Sequence, residues 1–233
     1  MKAITLCATI AGMVTTAANA ADITWASPTT ISGASDVSTL GNYFGSWAPY
    51  NGSANTMPVN GVTFQGFSDL PGLSSFQLDN GYNGFASPGT SDGNYNSLLQ
   101  YATFSNESTP ATFSWSGMTP GNSYLVQLWV HDGRNSTVNA RTETVTGGVN
   151  TSAPLAYGFA DGGPGQYIVG TFVADNSGSE TLTLSPGAAI PSAQLNLFQV
   201  RDITAVPEPS LFALLGMGSC ALLCRFRRTS NRV

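Results

Sequence analysis

Ala111-Thr-Phe-Ser-Trp115-Ser-Gly-Met-Thr-Pro120-Gly-Asn-Ser-Tyr-Leu125-Val-Gln-Leu-Trp-Val130-His-Asp-Gly-Arg134 is the stretch on which the fold is decided. Ala111, Phe113 and Trp115 alternate with Thr112, Ser114 and Ser116. Tyr124, Val126, Leu128 and Val130 alternate in the same way with Leu125, Gln127, Trp129 and His131. A period of two belongs to β-strands, whose successive side chains point to opposite faces. Between the runs, Met118 to Asn122 carries Pro120 and Gly121 where a type II turn wants them, so the spacing predicts a hairpin.

Outward from this stretch, short β-prone runs alternate with Gly, Pro, Ser and Asn. Upstream they are Ile23 to Thr30, Asn42 to Tyr50, Val59 to Phe67 and Ser74 to Leu78; downstream, Thr137 to Thr146, Gln166 to Ala174, Glu180 to Leu184 and Ala193 to Ile203. One segment breaks the period. Tyr95, Leu98, Leu99 and Ala102 recur at i, i+3, i+4 and i+7, the stripe of a short amphipathic helix. Asp92 or Ser91 stands ready to cap it, and the helix is expected across one end of the fold. Roughly nine or ten strands with one helix predict an all-β jelly-roll β-sandwich.

Length fits one domain, residues 21–205, between two further segments. Over that domain three arginines (Arg134, Arg141, Arg201) stand against twelve carboxylates, a net of −9 without a single lysine. A surface of that sign repels phosphate backbones and argues against nucleic acid as a partner. Cys7, Cys220 and Cys224 all lie outside the domain, so it holds no disulfide framework. One histidine and no cysteine leave no zinc ligand set.

Met1 to Ala20 reads as a secretory signal peptide. Lys2 supplies the positive start, Ile4 to Val14 the apolar stretch and Ala18-Asn19-Ala20 the A-x-A cleavage pattern. Residues 206–233 contain Pro207-Glu208-Pro209, an uncharged apolar run from Leu211 to Cys224, and Arg225-Phe226-Arg227-Arg228. The prolines stiffen the triplet, and the arginines act as a retention signal on the cytoplasmic side. Fourteen residues at about 1.5 Å each make roughly 21 Å of helix, short of a hydrocarbon core of about 30 Å. Physics alone allows a plain membrane anchor or a span held only until it is cut.

The three-part order at this end resembles the PEP-CTERM sorting signal of Gram-negative bacteria. That resemblance implies an exosortase as partner, with recognition at Pro207, Glu208 and Pro209 and the stop signal at Arg225, Arg227 and Arg228. It implies export through the inner membrane, the C-terminal helix standing in the membrane before processing. The destination is then the cell surface or the extracellular space, among polysaccharide. A second, shorter resemblance lies in Gly117 to Arg134, where a Thr-Pro-Gly turn leads into the long strand. It resembles the galactose-binding-like jelly-roll modules.

The densest chemistry is His131-Asp132-Gly133-Arg134, at a strand end where loops carry binding groups. Trp129, His131, Asp132 and Arg134 together supply an aromatic face and planar hydrogen-bonding groups for a sugar. The plainer reading makes Asp132-Gly133 a turn and Arg134 an ion-pair partner. Asp175 to Glu180 is an oxygen-rich loop in which Asp175 and Glu180 could hold Ca²⁺; a solvated hairpin turn is the alternative. Asp92 to Asn96 starts like an EF-hand, but Ser97 and Thr103 stand where Gly and Glu belong. Tyr82 with Phe85, or Trp47 with Tyr50, could form an aromatic platform. The acids are scattered singly.

The expectation is therefore a non-enzymatic, carbohydrate-associated β-sandwich without a cofactor. A self-associating structural surface protein, and less favourably a polysaccharide hydrolase or lyase, are the alternatives. Intact mass spectrometry of the protein released by its host should give a chain lacking Arg225 to Arg228. A mature chain on the inner membrane that keeps them would make the tail a simple anchor.

Overall fold

The computed structural model describes residues 20–48, 56–66, 70–74, 77–78, 80–105, 109–134, 141–158, 163–188 and 192–204. The expected leader up to residue 19, the Pro-Glu-Pro triplet, its apolar run and its arginines lie outside these. Among the described residues no helix is long and apolar enough to cross a membrane.

Sixteen short strands occur among them. The first six are β1 (Thr24–Trp25), β2 (Thr29–Thr30), β3 (Asn42–Trp47), β4 (Met57–Val59), β5 (Val62–Phe64) and β6 (Asn80–Asn83). Helix α1 (Gly93–Leu99) follows, then β7 (Tyr101–Phe104), β8 (Ala111–Trp115), β9 (Ser123–Val130), β10 (Thr142–Gly147) and β11 (Asn150–Thr151). The last are β12 (Leu155–Ala156), β13 (Gln166–Val173), β14 (Glu180–Pro186), β15 (Gln194–Leu195) and β16 (Leu197–Asp202).

Two sheets form the sandwich. The six-stranded one runs β1-β13-β9-β16-β3, with β2 also on β13; the five-stranded one runs β11-β10-β14-β8, with β12 also on β10. Their facing sides meet in one core. Phe113 and Trp115 of β8 pack edge-on against Phe198 of β16, ring centroids 5.0 and 5.2 Å apart, and Trp115 also meets Phe172 of β13 at 6.4 Å. Val126, Leu128, Leu182, Leu184, Val145 and Ile168 fill the space between.

The expected hairpin of the opening stretch is not formed. β8 pairs with β14 and β9 with β13 and β16, so the two runs lie in opposite sheets. The segment between them is an arch, not a turn. It is tied to a second arch between β13 and β14: Met118 N donates to Gly178 O, Gly121 N to Ala174 O, and Ala174 N to Asn122 O. Both runs carry their large apolar residues to the same core from opposite sides, which buries more than a two-stranded ribbon could.

β9 itself is buried on both faces. Tyr124, Val126, Leu128 and Val130 face the inter-sheet core. Trp129 faces outward into a second cluster with Leu197, Phe64, Val37, Tyr95, Leu98 and Leu99. Helix α1 therefore covers the outer face of the large sheet and does not lie across an end of the sandwich. Its cap is Asp92, whose Oδ1 accepts from Tyr95 N at 2.8 Å. Ala102, the expected last member of the stripe, has already passed into β7.

Two expected strands are each divided. Ile23 to Thr30 yields β1 and β2 on either side of Pro28, which has no N–H for a ladder. Val59 to Phe67 contains a hairpin instead: Asn60 and Gly61, with φ of 49° and 76°, make the tight turn between β4 and β5. Positive φ at both positions is the Asn-Gly signature of a two-residue hairpin loop. Replacing Trp115 with Ala should cost about 3–5 kcal/mol of stability, read as a shift of the denaturation midpoint. A cost near zero would mean that the two sheets do not share this core.

Candidate functional site

A third, small sheet, β15-β7-β6, stands beside the sandwich. Its register pairs Gln194 with Phe104 and Phe104 with Asn80, and Tyr82 lies two residues beyond Asn80. Alternation thus puts Tyr82, Phe104 and Gln194 on one face. These three, with Phe85, Arg134, Arg141 and Ser192, line a cleft of roughly 220 Å³. The sequence pattern brought Asp132 and Arg134 to this place, and the Tyr82–Phe85 platform with them. It missed Phe104, Arg141, Ser192 and Gln194, because non-local pairing assembles them.

Asp132 organises the electrostatics. It is fully buried, and one carboxylate serves two guanidinium groups. Arg134 meets it with Nε and Nη2, each at 2.7 Å, and Arg141 with Nη1 at 2.6 Å. Arg141 is itself buried, bonded further to Gln194 Oε1 and Ser192 O. Its guanidinium lies 4.6 Å from the centre of the Tyr157 ring. Arg134 keeps 42% of its side chain exposed. It sits over Tyr82 and Phe85, 4.8 and 5.3 Å from the ring centres, and its bonds to Asp132 push its pKa up further. One buried carboxylate thus fixes both guanidinium groups at the cleft.

Glu143 adds a second buried carboxyl behind Arg141. Tyr157 OH and Gln194 N both donate to its Oε2, and its Oε1 has no hydrogen-bond partner among the described residues. Burial raises Glu143 to about 8, against the pull of Tyr157, Gln194 and Arg141. Arg141, Glu143 and Val145 share one face of their strand and are all buried. Two charged residues at inward positions of an alternating strand were the available signal for this part of the site.

Two expected ligand-binding residues lie elsewhere. Trp129 is sealed in the outer cluster, edge-on to Phe64 at 5.7 Å, because alternation sends it to the opposite face from Val130. His131 is fully buried. Its Nδ1 contacts Pro164 O at 2.9 Å and its Nε2 contacts Ala86 O at 2.7 Å. Burial lowers its pKa, opposed by the two carbonyls and by Asp132. His131 therefore ties the Phe85–Ala86 segment to the strand end and holds up the cleft without facing it.

The proposed calcium loop is differently arranged. Asp175 Oδ1 accepts from Ser177 N and Oγ, closing its own turn. Glu180 is buried and bonded to Thr181 N and Ala21 N. Among the described residues no three His, Cys, Asp or Glu side chains gather as a metal ion would need.

The chain matches no family model, and no curated protein matches it. Similar solved structures include a plant receptor-like kinase, ANX2, with a TM-score of 0.51 at 12% identity over 70% of this chain and 49% of that one. The ANXUR2 extracellular domain of Arabidopsis thaliana gives 0.50 at 13% identity over 66% and 48%. A family 35 carbohydrate binding module from an environmental isolate gives 0.36 at 17% identity over 60% and 93%. The chain spans about half the length of the two plant proteins. At these identities the likeness is one of fold, and the fold is an all-β sandwich.

A carboxyl whose folded pKa is raised stabilises the fold below its unfolded value and loses that contribution as pH rises through the folded one. Stability should accordingly fall between about pH 5 and 8 as Glu143 is forced to ionise. Glu143→Gln should flatten that slope in thermal denaturation across the same range. An unchanged slope would mean that Glu143 is ionised throughout.

Proposed function

We propose that this is a non-catalytic, exported β-sandwich that binds an acidic polysaccharide through the Tyr82–Phe104–Arg134 cleft. The carrying observation is the Arg134 guanidinium, held by Asp132 over the Tyr82 and Phe85 rings with 42% of its side chain exposed, in a domain whose net charge is strongly negative. A partly exposed guanidinium suits a sugar carboxylate, which it meets through charge-assisted hydrogen bonds. Phe104 and Tyr82 offer apolar surface to a ring face, and Ser192 with Gln194 offers polar groups around it. The cleft is below the range of about 300–1,000 Å³ typical of drug-sized ligands, which suits a single sugar residue of a longer chain.

The non-catalytic part of this reading is supported by His131, whose ring nitrogens both face main-chain carbonyls, and by Glu143, which lies behind Arg141. The jelly-roll arrangement, delivery by an exosortase and residence at the cell surface among polysaccharide belong to the same proposal. The sorting and the destination are supported by the Pro207-Glu208-Pro209 motif, its apolar run and its arginine end, and the jelly roll by the two sheets that share one core.

Titration calorimetry with a uronate-containing polysaccharide and a neutral one tests the binding claim. The acidic polymer should bind and the neutral one should not. Arg134→Ala should weaken binding at least about tenfold, the scale of a lost charged hydrogen bond, while Asp132 keeps Arg141 as its partner. Equal binding of both polymers, or an Arg134→Ala variant that binds like the parent, would remove the cleft from the proposal.

A further inference from the structure

Glu180 lies on β14, far from the cleft, and is only 1% exposed. Its Oε1 accepts from Thr181 N at 3.0 Å. Its Oε2 accepts at 2.9 Å from the main-chain nitrogen of Ala21, 159 positions away. Ala21 is the residue that follows Ala18-Asn19-Ala20, the cleavage pattern read at the end of the leader. A buried carboxylate is thus bonded to the atom that signal-peptide removal would turn into an amino terminus.

The surroundings are shaped for this segment. Ile23 is buried in the inter-sheet core, and its nitrogen donates to Gly147 O of the five-stranded sheet. One residue later, β1 pairs Thr24 with Thr171 of the six-stranded sheet. Residues 21 to 25 therefore lace the two sheets together. Asp22 Oδ1 accepts from Val149 N. Gly148, at φ +60°, lies so close that a Cβ there would come within 2.4 Å of Asp22 Oδ1 and 2.7 Å of Ala21 O. No side chain fits at that point.

We propose that Glu180 is the receptor for the new amino terminus. Leader removal at Ala20–Ala21 converts the existing hydrogen bond into a buried ion pair that locks the first strand across both sheets. This rests on the reading of Met1 to Ala20 as a cleaved leader. Chemically, a signal peptidase adds water across the Ala20–Ala21 peptide bond. Ala20 leaves with a carboxylate, and Ala21 gains an α-ammonium with one positive charge and three N–H donors. Before cleavage the same nitrogen offers one N–H and no charge.

Ala20 lies in an open cleft of about 510 Å³ with Asp22, Gly148, Val149, Val173 and Asp175. Chain preceding Ala21 thus has room, and cleavage changes charge without relieving a clash. In the uncleaved chain, burial raises Glu180 to about 7, with Asp175 and Asp22 adding to the rise and the two N–H donors opposing it. Its contribution to stability is present below the ordinary carboxylate range and is lost as pH rises through 7. The uncleaved form therefore carries a poorly compensated carboxyl at neutral pH. In the cleaved form the ammonium compensates it, and that gain lasts until pH exceeds the raised pKa of the amine.

The test exports the full chain from its own leader in a Gram-negative host. A second chain carries Gly-Ser inserted between Ala20 and Ala21, so that the same cleavage leaves two extra residues. N-terminal sequencing should find Ala21 first in the parent; a different first residue overturns the proposal at its premise. Given Ala21, the insertion should lower Tm at pH 7 by about 2–6 °C, and Glu180→Gln should abolish the difference between the two chains. Equal Tm values for parent and insertion, or an insertion effect that survives Glu180→Gln, overturns the ion pair while leaving the leader intact. If Glu180→Gln does not fold, the α-amine pKa of the parent, measured by NMR, decides. It should lie above the ordinary value of about 8, and a value at or below that overturns the proposal.

Discussion

Strand β9 is buried on both faces, and the rest of the architecture answers that constraint. Its hydrogen-bonding edges are filled by β13 and β16, and its two faces by two separate clusters. The outer face also carries Gln127 and, from β16, Gln199, both fully buried. A buried amide without partners is costly, so main chain has to be brought to them. Gln127 Nε2 donates to Asp36 O, Ser38 N donates to Gln127 Oε1, and Gln199 Nε2 reaches Ser38 O and Gln127 Oε1. Arg201 of the same face gathers the carbonyls of Thr39, Leu40 and Gly41. The covering segment 36–41 is held in register by polar groups where apolar contact alone would leave it free to slide.

The same economy governs the charges. A domain of residues 21–205 with no cysteine and only three arginines cannot rely on cross-links or on surface ion pairs. Each arginine is committed to a defined place, Arg201 under the covering segment and the other two on Asp132. Buried pairs of this kind contribute little net stability, but breaking one strands a charge in the interior at a cost of about 3–5 kcal/mol. They penalise wrong arrangements more than they reward the right one. Asn196 shows the neutral version. At the junction of β15 and β16 it accepts from His131 N and donates to the carbonyls of Leu99 and Tyr101. One side chain thereby links the large sheet, the helix end and the small sheet that floors the cleft.

What was legible in the sequence was whatever is local. Alternation identified most strands, and the Asp92 cap with Tyr95, Leu98 and Leu99 identified the helix. Alternation cannot say which strand is the neighbour, so Met118 to Asn122 read as a hairpin turn although it spans the sandwich as an arch. Nor does it show that a strand is covered twice, so Trp129 looked available to a ligand while the outer layer had already claimed it. Asn60-Gly61 was a local signal that the continuous apolar run around it concealed. The cleft was legible by halves: Asp132 and Arg134 stood out as charges at a strand end. Phe104 and Gln194 stand 90 positions apart and become neighbours only through the register of β7 with β15.

That division between near and far also bears on recognition. A domain of net charge −9 repels an acidic polymer out to about a Debye length, roughly 8–10 Å at moderate salt, and is screened beyond it. The attraction from the arginine pair acts at contact, beside apolar rings that exclude water, where screening is weak. Overall charge therefore opposes approach and cannot carry the specificity. Under the proposed function, discrimination would reside in the few ångströms around Arg134, where Asp132 holds two guanidinium groups in place. Moderate salt weakens the longer-range repulsion more than the contact, so under the proposed function an acidic ligand would gain access without losing its anchor.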